Sequence, residues 1–394
     1  ENIDALITDL DGDGQGELLL ANGGSDYFGT SEYLQNRIYQ RQGARFLSAV
    51  LDPGFANTSV LRPSDYDGDG DTDFFVGNQS VTGSFGTLPD SYLLENQNGT
   101  LVVSGALEGQ GLGMVTDAVW TDFNEDGRPD LFIVGEWMQP QFYENTAAGF
   151  RRLEMDAPSG LWQSAASFDI DADGDPDFVL GNWGTNSKFR SSKGYPMRLY
   201  LHDFDGDGST DPVVATEKNG EYYPLSGLDD LASQMVSLRR KYPRYSDFAG
   251  RTVPEVFGEA NLEAASVMEA GELRSGFLRN EGGRFTFVPF PAEMQAAPIL
   301  EFLAFDFDGD GREELLAGGN YFGVKPYQGR LDGFPGALIQ SENEILLGNR
   351  IGLDFFNRSV RGLEIILLGE TPYLLAVFND APADFYALTP KTNN

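Results

Sequence analysis

Residues 65–73 read DYDGDGDTD, five aspartates in nine positions. Carboxylates this close repel one another, so the stretch is either a solvated turn or a cage for a cation. Five related stretches elsewhere in the chain bear on the choice. The pattern D-x-[DN]-x-D-G-x-x-[DE] occurs as DLDGDGQGE (9–17), DYDGDGDTD (65–73), DFNEDGRPD (122–130), DIDADGDPD (169–177), DFDGDGSTD (203–211) and DFDGDGREE (306–314).

The spacing has a chemical reason. Calcium takes six to eight hard oxygen ligands at about 2.3–2.6 Å, and side chains at positions 1, 3 and 5 of a tight loop converge on one point. These are Asp9, Asp11 and Asp13; Asp65, Asp67 and Asp69; Asp122, Asn124 and Asp126; Asp169, Asp171 and Asp173; Asp203, Asp205 and Asp207; Asp306, Asp308 and Asp310. Position 7 offers a backbone carbonyl, from Gln15, Asp71, Arg128, Asp175, Ser209 and Arg312. Position 9 offers a carboxylate able to bind through both oxygens, from Glu17, Asp73, Asp130, Asp177, Asp211 and Glu314. Glycine stands at position 6 throughout, where the chain turns sharply. Asp-Gly is also a common tight-turn dipeptide, but a turn has no need of carboxylates at positions 1, 3, 5 and 9 together. An EF-hand needs a glutamate at position 12; here that position is Leu20, Val76, Ile133, Leu180, Val214 and Ala317. The expectation is up to six structural Ca2+ ions whose binding is linked to folding.

Each loop sits between an alternating run (DALITDLD, DAVWTDFN, RLYLHDFD, EFLAFDFD) and a short apolar run (ELLLANG, DFFVGN, DLFIVG, DFVLGN, ELLAGG), the signature of a strand–loop–strand hairpin. The loops start 56, 57, 47, 34 and 103 residues apart, with further hairpin-like stretches between them, such as 140–155 and 275–290. One repeat is therefore about four strands, the unit of a β-propeller. The fold expected is all-β: a seven-bladed β-propeller in one domain over 1–394. A mainly helical insertion at 217–274 in the fifth blade explains the long interval, and 356–394 forms a closing blade without a calcium loop.

With these motifs the chain resembles the FG-GAP or VCBS repeat proteins, whose propellers include that of integrin α subunits. More narrowly, 159–187, 199–213 and 305–324 resemble the C-terminal propeller of large secreted bacterial VCBS-repeat proteins that also carry an ASPIC/UnbV module. The resemblance implies a calcium-bearing seven-bladed propeller.

A net charge of −34 disfavours nucleic acid and anionic membrane surfaces as partners and favours cations. No cysteine is present, so there is neither a disulfide nor a thiolate site. No stretch is long and apolar enough to span a bilayer, which speaks against direct membrane insertion. The chain opens at Glu1 directly in an apolar alternating run, which reads as a piece of a longer multidomain precursor, secreted or held at the cell surface.

If the metal loops share one face of the disc, the loops after the second strands share the other. These pool Trp137, Trp183, Tyr321 and Phe322 for stacking, Asn182, Asn186 and Asn320 for polar contacts, and Lys188, Arg190, Arg239, Arg240 and Lys325 for an anionic group. They read either as a glycan- or protein-binding surface or as packing for the insertion. His202, the single histidine, precedes a metal loop and has no nucleophile pattern around it. The functional expectation is a calcium-stabilised extracellular binding module. The alternatives are a carbohydrate-active enzyme, such as a calcium-dependent polysaccharide lyase, and a purely structural segment of a surface protein.

Overall fold

A computed structural model describes residues 2–24, 26–43, 45–51, 54–107, 111–325, 328–369 and 371–388. The chain is all-β, with antiparallel sheets and, among the described residues, five short α-helices. The first sheet pairs Asn2–Thr8, Glu17–Asn22, Arg37–Gln42 and Arg45–Val50 in chain order; the second pairs Asn57–Ser64, Asp73–Ser80, Tyr92–Asn96 and Leu101–Ser104. The third uses Met114–Thr121, Asp130–Met138, Gln141–Thr146 and Gly149–Leu153, with Gly160–Leu161 added at the far end of its second strand.

The fourth sheet is split. It pairs Ser164–Phe168 with Asp177–Gly181 and then, across a long excursion, with Gly276–Asn280 and Phe285–Pro289. The fifth is Ile299–Phe305, Glu314–Gly319, Ala337–Ser341 and Glu344–Leu347; the sixth is Ser359–Leu368, Thr371–Asn379 and Ala381–Ala387. The excursion carries a complete sheet of its own, in which Met197–His202 and Asp211–Lys218 pair centrally, flanked by Ser266–Ala270 and Glu221–Pro224. Helices Leu228–Gln234, Ser237–Lys241, Tyr245–Phe248, Val253–Phe257 and Glu259–Ala264 pack on it through Leu228, Leu231, Met235 and Leu238 against Tyr200, Val213 and Ala215.

This corrects the expected insertion at 217–274 in a fifth blade. The excursion leaves the fourth sheet after Gly181, returns at Gly276, and takes the 203–211 loop with it. Residues 389–394 of the closing segment read from sequence lie outside the described residues.

The six remaining sheets adjoin in chain order through their first strands, each touching the next. Hydroxyls stitch the neighbours: Ser59 donates to the Val115 carbonyl (2.7 Å), Thr116 to that of Trp162 (2.9 Å) and Ser164 to that of Ile299 (3.1 Å). The second strands are buried on both sides, which is why they read as unbroken apolar runs rather than alternating ones. At Gly181 a Cβ would lie 2.3 Å from the Ile299 carbonyl, so only glycine lets the fifth sheet approach there.

The first strands also face one another across a narrow space. Arg62 reaches Asp4 (3.2 Å) on the first sheet and Asp117 (2.6 Å) on the third. Glu301 of the fifth sheet has its carboxyl pushed up to about 8 by burial and by Asp117, against the pull of Arg62, with Asp4 and Glu364 adding repulsion. The Arg62 side chain is nevertheless 32% exposed. The guanidinium is therefore partly open to solvent.

Candidate metal centres and the opposite face

All six acidic loops join a first strand to a second, and they share one hydrogen-bond scheme. The position-1 carboxylate folds the loop onto itself: its second oxygen accepts from the glycine N–H at position 6, at 2.8 Å for Gly14 and 2.9 Å for Gly208 and Gly311. The position-5 carboxylate accepts from the N–H of position 7, as Asp207 does from Ser209 (2.8 Å). The position-6 glycines have φ between 84° and 98°, the left-handed region expected there. Position 4 is left-handed as well, including Glu125 (57°) and Ala172 (60°), a requirement that sequence reading passed over although four of the six copies have glycine there.

Position 9 has two roles. Its carboxylate is buried, fully so in Asp73, Asp130 and Asp177, and one oxygen accepts from the backbone N–H of position 2: Leu10 to Glu17 (2.9 Å), Ile170 to Asp177 (3.0 Å), Phe307 to Glu314 (2.8 Å). In three loops the other oxygen accepts from an asparagine N–H on the third strand: Asn96 to Asp73 (2.8 Å), Asn145 to Asp130 (2.7 Å) and Asn280 to Asp177 (2.7 Å). Burial pushes these three carboxyls up to about 6, against those donated hydrogen bonds. Asp211 and Glu314 shift the same way for the same leading reason.

Among the described residues, five groups could hold a metal ion, each bringing three carboxylate oxygens within 4.8 Å of one another: Asp9, Asp11 and Asp13; Asp65, Asp67 and Asp73; Asp169, Asp171 and Asp177; Asp203, Asp205 and Asp211; Asp306, Asp308 and Glu314. The donor set is oxygen only, as a hard cation requires. Buried oxygens of Asp171 and Asp205, both at position 3, have no hydrogen-bond partner, and a cation at the loop centre would satisfy them. The third loop differs. Asn124 replaces one carboxylate, the Arg128 guanidinium lies on Asp126 and its Nε donates to the Asn145 carbonyl (2.7 Å), so the loop has an internal cation.

The loops of neighbouring sheets are tied together. Asn96 Nδ2 donates to the Leu10 carbonyl (2.9 Å) and Asn145 Nδ2 to that of Tyr66 (2.6 Å), each reaching the loop of the preceding sheet. Arg279 lies between Asp171 and Glu342 of the fifth sheet. The 203–211 loop stands apart: Ser209, Thr210 and Asp211 line a cleft of about 500 Å³ with Phe28, Asn57, Ser80 and Phe85, at the ends of the first two sheets remote from their own acidic loops.

Residues 65–133 and 122–180 match the FG-GAP-like repeat family. These segments are FG-GAP-like repeats. They span the second, third and fourth acidic loops with the strands around them. No curated protein matches the chain. Among solved structures, the chain is similar to BBS1N, from its crystal structure in complex with ARL6DN, at 10% identity and a TM-score of 0.35, covering 100% of this chain and 94% of that one. It is also similar to the V. cholerae biofilm matrix protein Bap1, at 11% identity and a TM-score of 0.31, covering 96% and 85%.

At the face away from the acidic loops, several of the candidate residues occupy packed positions. Trp137 is 8% exposed and packs with Met114 and Leu161 against Met197, Leu199 and Ala270 of the inserted sheet and Leu273 just beyond it, with Trp183 and Phe189 alongside. Asn182 and Asn320 are fully buried. Asn182 donates to the Glu272 carbonyl, and Asn320 donates to the carbonyls of Phe334, Phe355 and Arg358 while accepting from the Phe334 N–H. Both amides fasten the chain after a second strand, as Asn22 and Asn78 do in the first two sheets.

Among the basic residues, Lys325 pairs with Asp230 (2.7 Å), Arg239 with Asp229, and Arg190 bonds the carbonyls of Ser187 and Phe189. Phe322 lies under Arg330, and Asn186 donates to the Ala296 carbonyl (3.1 Å). Lys188 and Arg240 stand exposed on separate segments. The residues brought together at this face are chiefly those that dock the insertion.

Proposed function

We propose that the chain is a six-bladed β-propeller stabilised by calcium, working as an extracellular interaction module for a glycan or a protein. The seventh sheet is then the inserted unit, which covers part of one face. The observation that carries the reading is the set of three-carboxylate groups with unpartnered buried oxygens on Asp171 and Asp205. Those charges are costly to keep together without a cation, and an oxygen-only cage of this kind suits Ca2+. The ion would supply only charge neutralisation; holding the loops is the work of the position-1, position-5 and position-9 carboxylates.

FG-GAP-like repeats and a net charge of −34 fit a setting rich in calcium. No helix is long and apolar enough to cross a membrane. Calorimetric titration of the metal-free chain with calcium tests the reading. Five sites are expected, in the range of about 10⁻⁴–10⁻³ M that open extracellular sites show. No saturable uptake would refute it, and submicromolar sites would speak against the extracellular setting.

A further inference from the structure

The ends of the six sheets remote from their own acidic loops surround an opening where the first strands face one another. Five sheets send side chains to it. Glu136 lies near the end of the second strand of the third sheet, and its carboxyl accepts from Gln163 Nε2 (2.9 Å). Gln79 of the second sheet and Trp183 of the fourth also stabilise the ionised form of that carboxyl. Trp183 meets Tyr321 of the fifth sheet edge to face, with centroids 5.4 Å apart. Arg361 of the sixth sheet lies over the Tyr321 ring at 5.5 Å.

The constellation is incomplete as it stands. Burial raises the affinity of the Glu136 carboxyl for its proton, and the groups that oppose this are two amides and an indole rather than a cation. The indole Nε1 of Trp183 is buried and reaches no acceptor in hydrogen-bond geometry, although Glu136 is close by. Glu136, Gln79, Gln163, Trp183 and Tyr321 all keep part of their surface accessible, and Arg361 is exposed. None of these side chains is sealed from solvent.

We propose that Gln79, Glu136, Gln163, Trp183, Tyr321 and Arg361 form an axial binding site for one neutral sugar residue of a glycan. Two aromatic rings meeting at an angle offer apolar walls to the C–H faces of a pyranose. Two amides supply donors and acceptors for neighbouring hydroxyls, and the carboxyl accepts from one more. An acidic sugar is disfavoured, because Glu136 is on the spot and the whole chain is strongly negative. This inference rests on the reading of the chain as an interaction module and assigns that module a site and a ligand class.

The test is a tryptophan-fluorescence titration of the calcium-loaded chain with the methyl glycosides of glucose, galactose, mannose and N-acetylglucosamine. Saturable binding of at least one is expected. Glu136→Gln, which keeps the shape, is expected to weaken it by about tenfold or more, the loss of one hydrogen bond to a charged group. Gln163→Ala provides a second reading should the first variant fold poorly, and Asn343→Ala, in an exposed hairpin turn of the fifth sheet, leaves binding unchanged. A folded chain silent toward all four glycosides, or binding indifferent to both Glu136→Gln and Gln163→Ala, would overturn the sugar site. Either result leaves calcium uptake and the module reading to stand on their own measurement.

Discussion

The Nδ2 amide of Asn145 donates to the carbonyl oxygen of Tyr66 at 2.6 Å, joining the third sheet to the acidic loop of the second. The same residue's backbone N–H donates to Asp130 in its own loop at 2.7 Å. One asparagine therefore couples two loops, and Asn96 repeats the device between the second sheet and the first.

Asn145→Ala removes the side-chain half of this coupling and leaves the buried Tyr66 carbonyl without its donor. A loss of about 1–3 kcal/mol is expected in urea unfolding. Asn343→Ala, whose exposed amide bonds only its neighbour Glu342, is expected to change stability by less than about 0.5 kcal/mol.

Trp137 separates packing from recognition. If it docks the inserted sheet, Trp137→Ala costs about 3–5 kcal/mol in the first unfolding transition. Limited proteolysis then cuts among the helices between 228 and 264. A variant of unchanged stability that loses only ligand binding would restore Trp137 to a recognition surface.

Ala172 stands at position 4 of its loop with φ 60°, where four of the other five copies have glycine. The left-handed conformation costs a residue with a Cβ roughly 1–2 kcal/mol. Ala172→Gly is expected to stabilise the chain by about 1 kcal/mol, less any added freedom of the unfolded state. A lower melting temperature for the variant would show that the side chain contributes contacts that the loop geometry does not reveal.

The acidic loops were legible from sequence because everything that builds them is local: nine residues supply the carboxylates, the turn and both strand ends. The all-β class was legible for the same reason, from short alternating and apolar runs. The host of the insertion was not. Periodicity marks 276–280 as a strand but cannot say that Phe277 pairs with Val179 across nearly a hundred residues. The 203–211 loop, identical in pattern to the others, concealed that it belongs to a separate sheet. Asn182 and Asn320 misled because a buried amide tying carbonyls and an exposed amide awaiting a ligand look the same in a sequence.

The carboxyls of Asp73, Asp130 and Asp177 are pushed up to about 6, above an unfolded value of about 3.9. The metal-free folded chain then holds more protons than the unfolded chain between these values, so its stability falls as pH rises from about 4 to about 6. Calcium is expected to reverse the trend by replacing those protons at the loops whose position-9 group joins the cluster. Apparent calcium affinity is therefore expected to drop as pH falls below about 6. Calcium titrations at several pH values check this; an affinity independent of pH across that window would show that the position-9 carboxylates stand outside the sites.

Thermal unfolding of the chain at neutral pH, in millimolar calcium and then in excess EDTA, tests the central claim most directly. Linked binding and folding predict a melting temperature that falls markedly on chelation and returns when calcium is restored. A melting curve unmoved by chelator, in a chain confirmed to have held calcium beforehand, would contradict it.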